Sequence, residues 1–187
     1  MHRRVRSALF VLTAAALLGV LAVGCGDEEA GDDGTTTSTT DATELRPCEE
    51  AYPSDPAATA DPEDVEGRGA PAMEACDPGG DELLVIDQVT GTGAEVTQGG
   101  TVTAHYRGIS ADTGEEFDSS WARGQPATFP LDGVIEGWST GLVGMKEGGR
   151  RVLVIPAAQA YGDNPPPGSG IAPGATLVFT VDLVSAS

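Results

Sequence analysis

Val134-Ile135-Glu136-Gly137-Trp138-Ser139-Thr140-Gly141-Leu142-Val143-Gly144-Met145 is the stretch that decides the fold. Ile135, Trp138, Leu142 and Met145 recur at three- and four-residue spacings, which predicts a helix with a single apolar stripe. Gly148-Gly149 stops the pattern. On either side the period changes from helical to two. Upstream, Leu83 to Val89 is strand-like and ends at Gly91-Thr92-Gly93, and Thr101 to Ile109 alternates with Val102, Ala104 and Tyr106 on one face. Asp112-Thr113-Gly114 is a hairpin turn, followed by a strand around Phe117 and another over Thr128 to Leu131. Downstream, Arg150 to Ile155 and Thr176 to Val184 are strands, the second with Leu177, Phe179, Val181 and Leu183 facing one way. Several strands and one short helix predict an α+β domain, an antiparallel sheet whose apolar face that single helix must cover.

Further out, the first 24 residues read as a targeting segment. Arg3, Arg4 and Arg6 precede an apolar run from Ala8 to Val23, shorter than the roughly 20 residues that span a bilayer. The run ends in Leu21-Ala22-Val23-Gly24-Cys25, which resembles a bacterial lipobox. The expectation is a signal peptide over 1–24 and a lipidated Cys25 as mature N-terminus. The alternative is an uncleaved membrane anchor with an incidental cysteine. Either reading puts the remainder outside the cytoplasmic membrane, on its outer face or in a periplasm. Residues 25–43 are acidic and rich in Gly and Thr, the composition of a disordered tether.

Residues 44–80 are rich in Pro, Ala and acid and carry the remaining cysteines, Cys48 and Cys76. In an oxidising compartment the two are expected to pair, with two free thiols as the alternative. A zinc site is not expected, since no CxxC pair or nearby histidine completes a ligand set. The predicted domain is 81–187, and a fragment beginning near Asp81 is expected to fold alone. Removing residues 1–24 takes away three arginines and no acid, moving the formal charge from −19 to −22. Nucleic acid is excluded as a partner on that balance, because phosphate binding needs a basic footprint.

Tyr106, Phe117-Asp118-Ser119-Ser120, Val134-Ile135-Glu136-Gly137-Trp138, Gly141-Leu142-Val143-Gly144-Met145, Ala160-Tyr161-Gly162 and Ala175-Thr176-Leu177-Val178-Phe179 follow one another in a particular order. That order resembles FKBP-type peptidyl-prolyl cis/trans isomerases over about residues 83 to 185. The resemblance implies a half-wrapped antiparallel sheet around the helix, with a substrate pocket between them. It implies that Tyr106, Phe117, Asp118, Arg123, Phe129, Val134, Ile135, Trp138, Tyr161, Ile171 and Phe179 form the pocket, with Arg123 holding Asp118. Proline-containing polypeptides, and macrolides of the rapamycin and tacrolimus kind, are the implied partners; no cofactor or metal is implied. The implied role is isomerisation during folding of exported proteins, and the alternative is a low-turnover chaperone or adaptor gripping proline-containing segments.

The chemistry agrees with such a residue set. Rotation about an X–Pro bond is opposed by amide resonance, a barrier of about 18–20 kcal/mol. The planar amide is strongly polar, whereas the twisted form has lost conjugation, so a dry aromatic pocket favours the twisted form. No nucleophile is needed. Two positions depart from the family's pattern. Ala127 stands where a large aromatic is common, which is expected to open one wall. The loop after Tyr161 carries Pro165-Pro166-Pro167 and lacks the histidine some members have there. Gly137-Trp138-Ser139-Thr140-Gly141 matches the G-x-S-x-G of serine hydrolases by chance. It lies within a predicted helix, and His105, the one histidine after the signal segment, lies upstream of it.

Overall fold

A computed structural model describes residues 44–187; the expected signal segment, Cys25 and the expected tether lie outside the described residues. In chain order the elements are α1 (Cys48–Ala51), β1 (Thr59–Ala60), β2 (Leu84–Gly91), β3 (Thr101–Ser110), β4 (Glu116–Ser119), β5 (Ala127–Pro130), α2 (Glu136–Gly141), β6 (Arg150–Ile155) and β7 (Leu177–Ala186). The sheet runs β1-β2-β6-β7-β3-β4, and β5 pairs with the opposite end of the β3 edge that holds β4. Strands β2 to β7 pair antiparallel, as the alternation predicts. The short β1 joins the β2 edge in parallel, so the sheet is mixed.

Strict alternation builds the front face. Val102, Ala104 and Tyr106 of β3, Leu153 and Ile155 of β6, and Leu177, Phe179, Val181 and Leu183 of β7 are buried there with Trp138, Leu142 and Met145. The helix is shorter than the apolar stripe suggests. A 3₁₀ turn at Leu131–Gly133 precedes it, and Ile135 is its N-cap in an extended conformation (φ −60°, ψ 151°). Beyond Gly141 the chain continues in turns. Glycines at 137, 141 and 144 weaken the helix, and Arg151 Nη1 donates to the carbonyls of Gly141 (2.8 Å) and Val143 (3.2 Å), satisfying the helix end. The same glycines let α2 lie close on the sheet: a Cβ at Gly137 would sit 2.3 Å from Ile155, and one at Gly141 2.7 Å from Leu153. Trp138 is thereby set at the centre of the concave face.

The back of the sheet is not bare. Residues 44–80 cross it, and Cys48, Tyr52 and Cys76 are buried against Ile86, Ile109, Val152, Val154 and Val178. A disulfide joins Cys48 and Cys76, with an S–S distance of 2.07 Å, and a β-bridge links the flanking Pro47 and Asp77. The segment also interlocks with the loops at the sheet edge. A Cβ at Gly93 would meet the Pro62 ring at 2.8 Å, and one at Gly148 would meet the Ala60 carbonyl at 2.4 Å. The division at residue 81 drawn from composition is therefore no boundary in packing, and a fragment starting at Asp81 would expose the back of the sheet. Composition missed this because a strap of Pro, Ala and acid needs few apolar anchors to cover a narrow face.

Candidate functional site

The cleft between α2 and the concave face has a volume of about 650 Å³ and is lined by Tyr106, Phe117, Asp118, Phe129, Gly133, Val134, Ile135, Trp138, Tyr161, Ser169, Ile171 and Phe179. Trp138 forms its floor. The indole meets Tyr106, Phe129 and Phe179 edge-on, with ring centroids 5.4, 5.3 and 5.4 Å away. Phe117 meets Phe179 edge-on at 5.4 Å, and Phe129 meets Tyr106 at 5.5 Å. Such contacts set the positive edge of one ring against the negative face of the next and hold the rings rigidly. Gly108 makes room for two of them: a Cβ there would lie 2.6 Å from Phe117 and 2.8 Å from Phe179.

One polar cluster stands at the rim. The Tyr106 hydroxyl donates to Asp118 Oδ2 at 2.5 Å and accepts from Arg123 Nη2 at 2.5 Å, while Arg123 Nη1 pairs with Asp118 Oδ1. Burial pushes the Tyr106 phenol up, and the Asp118 hydrogen bond adds to it, to about 12. Burial also acts to raise the Asp118 carboxyl, but the Tyr106 and Arg123 hydrogen bonds and the Arg123 charge outweigh it, so Asp118 titrates below the usual carboxylate range. The hydrogen bond to Asp118, then that to Tyr106, raises Arg123. Asp118 therefore carries a fixed negative charge whose orientation two side chains determine.

Behind this cluster Ser120, fully buried, bolts β4 to β3: the Tyr106 N–H donates to its Oγ at 2.8 Å, and its own N–H donates to the Tyr106 carbonyl at 2.9 Å. At the opposite rim Val134 and Ile135 lead into α2. The Ile135 carbonyl accepts from the N–H of Trp138 (3.0 Å) and Ser139 (3.1 Å), while its own N–H has no protein acceptor among the described residues. Tyr161 is exposed at the lip, and Ile171 follows a turn in which Ser169 N donates to the Pro166 carbonyl at 3.1 Å.

Ten of the eleven residues implied by resemblance line the cleft; Arg123 acts from outside it, through Asp118 and Tyr106. Ala127 does not line it. It pairs with Ala104 and packs on the core. Gly133 and Ser169 went unseen in the sequence because each reaches the cleft through loop geometry, for which residue type gives no signal. Ser139 of the hydrolase-like pentapeptide donates to the Glu136 carbonyl at 3.0 Å, and His105 meets Ser120 at 3.0 Å and stacks on Trp121.

The cleft is thus an aromatic enclosure on a half-wrapped sheet, with a carboxylate at its rim. Residues 93–184 match the family described as FKBP-type peptidyl-prolyl cis-trans isomerase. The chain is 54% identical over 110 residues to a probable FK506-binding protein of Corynebacterium glutamicum, covering 58% of this chain and 91% of that one. It is 50% identical over 113 residues to an FK506-binding protein of Streptomyces anulatus, again covering 58% and 91%. Among solved structures it is similar to FkpA from Escherichia coli, with a TM-score of 0.52 and 43% identity over 56% of this chain and 48% of that one. The chain belongs to the FKBP-type peptidyl-prolyl cis-trans isomerase family and is a peptidyl-prolyl cis/trans isomerase.

Proposed function

We propose that the protein assists the folding of exported polypeptides by desolvating their X–Pro amides in the aromatic cleft. The observation that supports this most is the enclosure itself: five aromatic side chains linked by edge-on contacts, with Trp138 as the floor and the charged groups at the rim. In water the planar amide is stabilised by hydrogen bonds to its polarised carbonyl. Inside the cleft that stabilisation is withdrawn, and the less polar twisted amide loses little. Each tenfold acceleration requires about 1.36 kcal/mol of such preference.

The rim fixes the pose. In this reading the free N–H of Ile135 and the Tyr161 hydroxyl donate to substrate carbonyls, and the Asp118 carboxylate accepts from a neighbouring substrate N–H. X–Pro isomerisation takes tens to hundreds of seconds unaided, so newly exported chains are the natural clients. Two relatives are named for FK506 binding; by extension this cleft takes macrolides of the tacrolimus and rapamycin kind. A protease-coupled assay on X–Pro tetrapeptides tests the reading, with kcat/KM expected well above the spontaneous rate. Retained turnover after Trp138→Ala in a folded protein would sink the desolvation mechanism.

The basic start, the apolar run and the small residues before Cys25 support anchoring through a lipid on that cysteine. Replacing Cys25 by Ala is expected to block processing and release the protein from membranes. Unchanged membrane association would show that the lipobox reading is wrong.

A further inference from the structure

Residues 44–80 lie outside the stretch that matches the family, yet they are fastened to the hairpin that carries two walls of the cleft. Arg107 is the connecting residue. It follows Tyr106 on β3, so its side chain leaves from the back of the sheet while the Tyr106 ring enters the cleft at the front. Its Nη1 donates to the Pro71 carbonyl at 2.8 Å, and its Nε donates to Glu116 Oε2 at 2.6 Å. Glu116 begins β4, and Phe117 and Asp118 follow directly. Arg107 is also the cross-strand partner of Ser119, at the other end of β4.

The same segment grips the hairpin turn. The Cys76 N–H donates to the Ala111 carbonyl at 2.9 Å, and Ala75 crosses Gly114 so closely that a Cβ there would meet its backbone nitrogen at 3.1 Å. Residue 74 is itself pinned, since the Tyr52 hydroxyl donates to its carbonyl at 2.6 Å and accepts from its N–H at 2.9 Å. The Cys48–Cys76 bond then ties α1 to this run, so the strap cannot slide along the hairpin. By contrast β4 has only four residues and one β-strand neighbour, β3, with an irregular register between Gly108 and Ile109. A strand so short and so weakly paired needs support from its other side.

We infer that the disulfide-closed strap is a brace for the β3–β4 hairpin, and that Arg107 is a positioning residue which acts on the cleft by holding Asp118 in place through it. The inference rests on the reading of Asp118 as a cleft residue. In the full-length protein, Arg107→Ala is expected to lower kcat/KM about tenfold, since small misplacements remote from the chemistry can cost up to about a hundredfold. Arg107→Lys, which restores one donor, is expected to recover part of the loss. Arg107→Ala is expected to change activity by less than about twofold when Asp118→Val is already present, because coupled positions are not additive.

Two measurements separate the brace from the cleft reading. Hydrogen exchange of the Phe117, Asp118 and Ser119 amides is expected to quicken in Arg107→Ala and in Cys48→Ser/Cys76→Ser, while exchange in β6 and β7 is retained. Unchanged exchange at β4 overturns the brace whatever Asp118 does in catalysis. Faster exchange with an inactive role for Asp118 overturns the cleft reading and leaves the brace in place. Equal activity losses for Arg107→Ala with and without Asp118→Val would show that Arg107 does not act through Asp118, and would overturn its positioning role.

Discussion

Asp182 of β7 is fully buried on the back of the sheet, and its cross-strand partner Arg150 binds it through two hydrogen bonds of 2.6 and 2.7 Å. Arg68 of the strap stands 3.4 Å from the same carboxylate and donates to the Gly148 carbonyl at 3.0 Å, and Arg150 in turn reaches the Gly69 carbonyl at 3.2 Å. The strap is thus held at its centre by charge, at its ends by the disulfide and at the sheet edge by β1.

Removing one partner of such a pair leaves an uncompensated buried charge. Arg150→Ala is expected to cost about 3 kcal/mol, at the lower end of the range for broken buried pairs because Arg68 remains. Arg68→Ala is expected to cost less, since Asp182 keeps its two-point contact with Arg150. Chemical denaturation of the two variants checks the order; a larger loss for Arg68→Ala would mean that the strap, and not the cross-strand pair, neutralises Asp182.

Truncation before Asp81 tests the strap as a whole. It removes the buried Cys48, Tyr52, Val65 and Cys76 and uncovers Ile86, Ile109, Val152, Val154, Val178 and Asp182. Loss of a native disulfide alone typically costs about 2–5 kcal/mol. For a domain of this size that lowers Tm by roughly 10 °C. The truncated chain is expected to melt at least that much lower and to bind an apolar dye. An unchanged melting temperature would return the strap to the status of a spacer.

The front of the molecule was legible in the sequence and the back was not, for one physical reason. Alternation reports which face of a strand is apolar, so Leu177, Phe179, Val181 and Leu183 announced the front core. The same rule sent Asp182, Arg150 and His105 outward, into what alternation treats as water. Covering that face takes a separate segment whose own apolar residues are too few and too irregularly spaced to show a period. Within the cleft, ordered motifs located the aromatic walls and the Asp118–Arg123 pair. Ser120 stood in the sequence only as the last residue of the Phe117-Asp118-Ser119-Ser120 motif, and its role as the bolt between β4 and Tyr106 depends on a burial that sequence does not display.

The rim network has a pH signature. Tyr106 is raised to about 12 from the ordinary tyrosine value near 10. Because the folded protein holds this proton more tightly, the contribution to stability is fully present below pH about 10 and is lost as pH rises toward 12. Asp118 runs the other way: its contribution is present above the usual carboxylate range and is lost as pH falls through its lowered value. Ultraviolet titration of the three tyrosines, Tyr52, Tyr106 and Tyr161, is expected to show a step near 12 that Tyr106→Phe abolishes. A step near 10 that disappears in this variant would show that the hydroxyl is not held by Asp118 as the structure has it.

Activity and stability should separate between Asp118 and Trp138. The Asp118 side chain is 42% exposed, and an ion pair so open to water contributes at most about 1 kcal/mol. In the proposed mechanism Asp118 orients substrate from the rim, a role separate from holding the fold together. Asp118→Val is therefore expected to lower kcat/KM about tenfold or more while Tm moves by only a few degrees. Trp138 is only 4% exposed and meets three other rings, so Trp138→Ala opens a cavity under the cleft. That cavity typically costs about 3–5 kcal/mol, and the variant is expected to lose activity and roughly 10 °C of Tm together. Tetrapeptide kinetics and thermal unfolding on both variants check the contrast. If Asp118→Val destabilised the protein as much as Trp138→Ala, Asp118 would be a structural member of the hairpin, and the orienting role would pass to the Ile135 N–H and the Tyr161 hydroxyl.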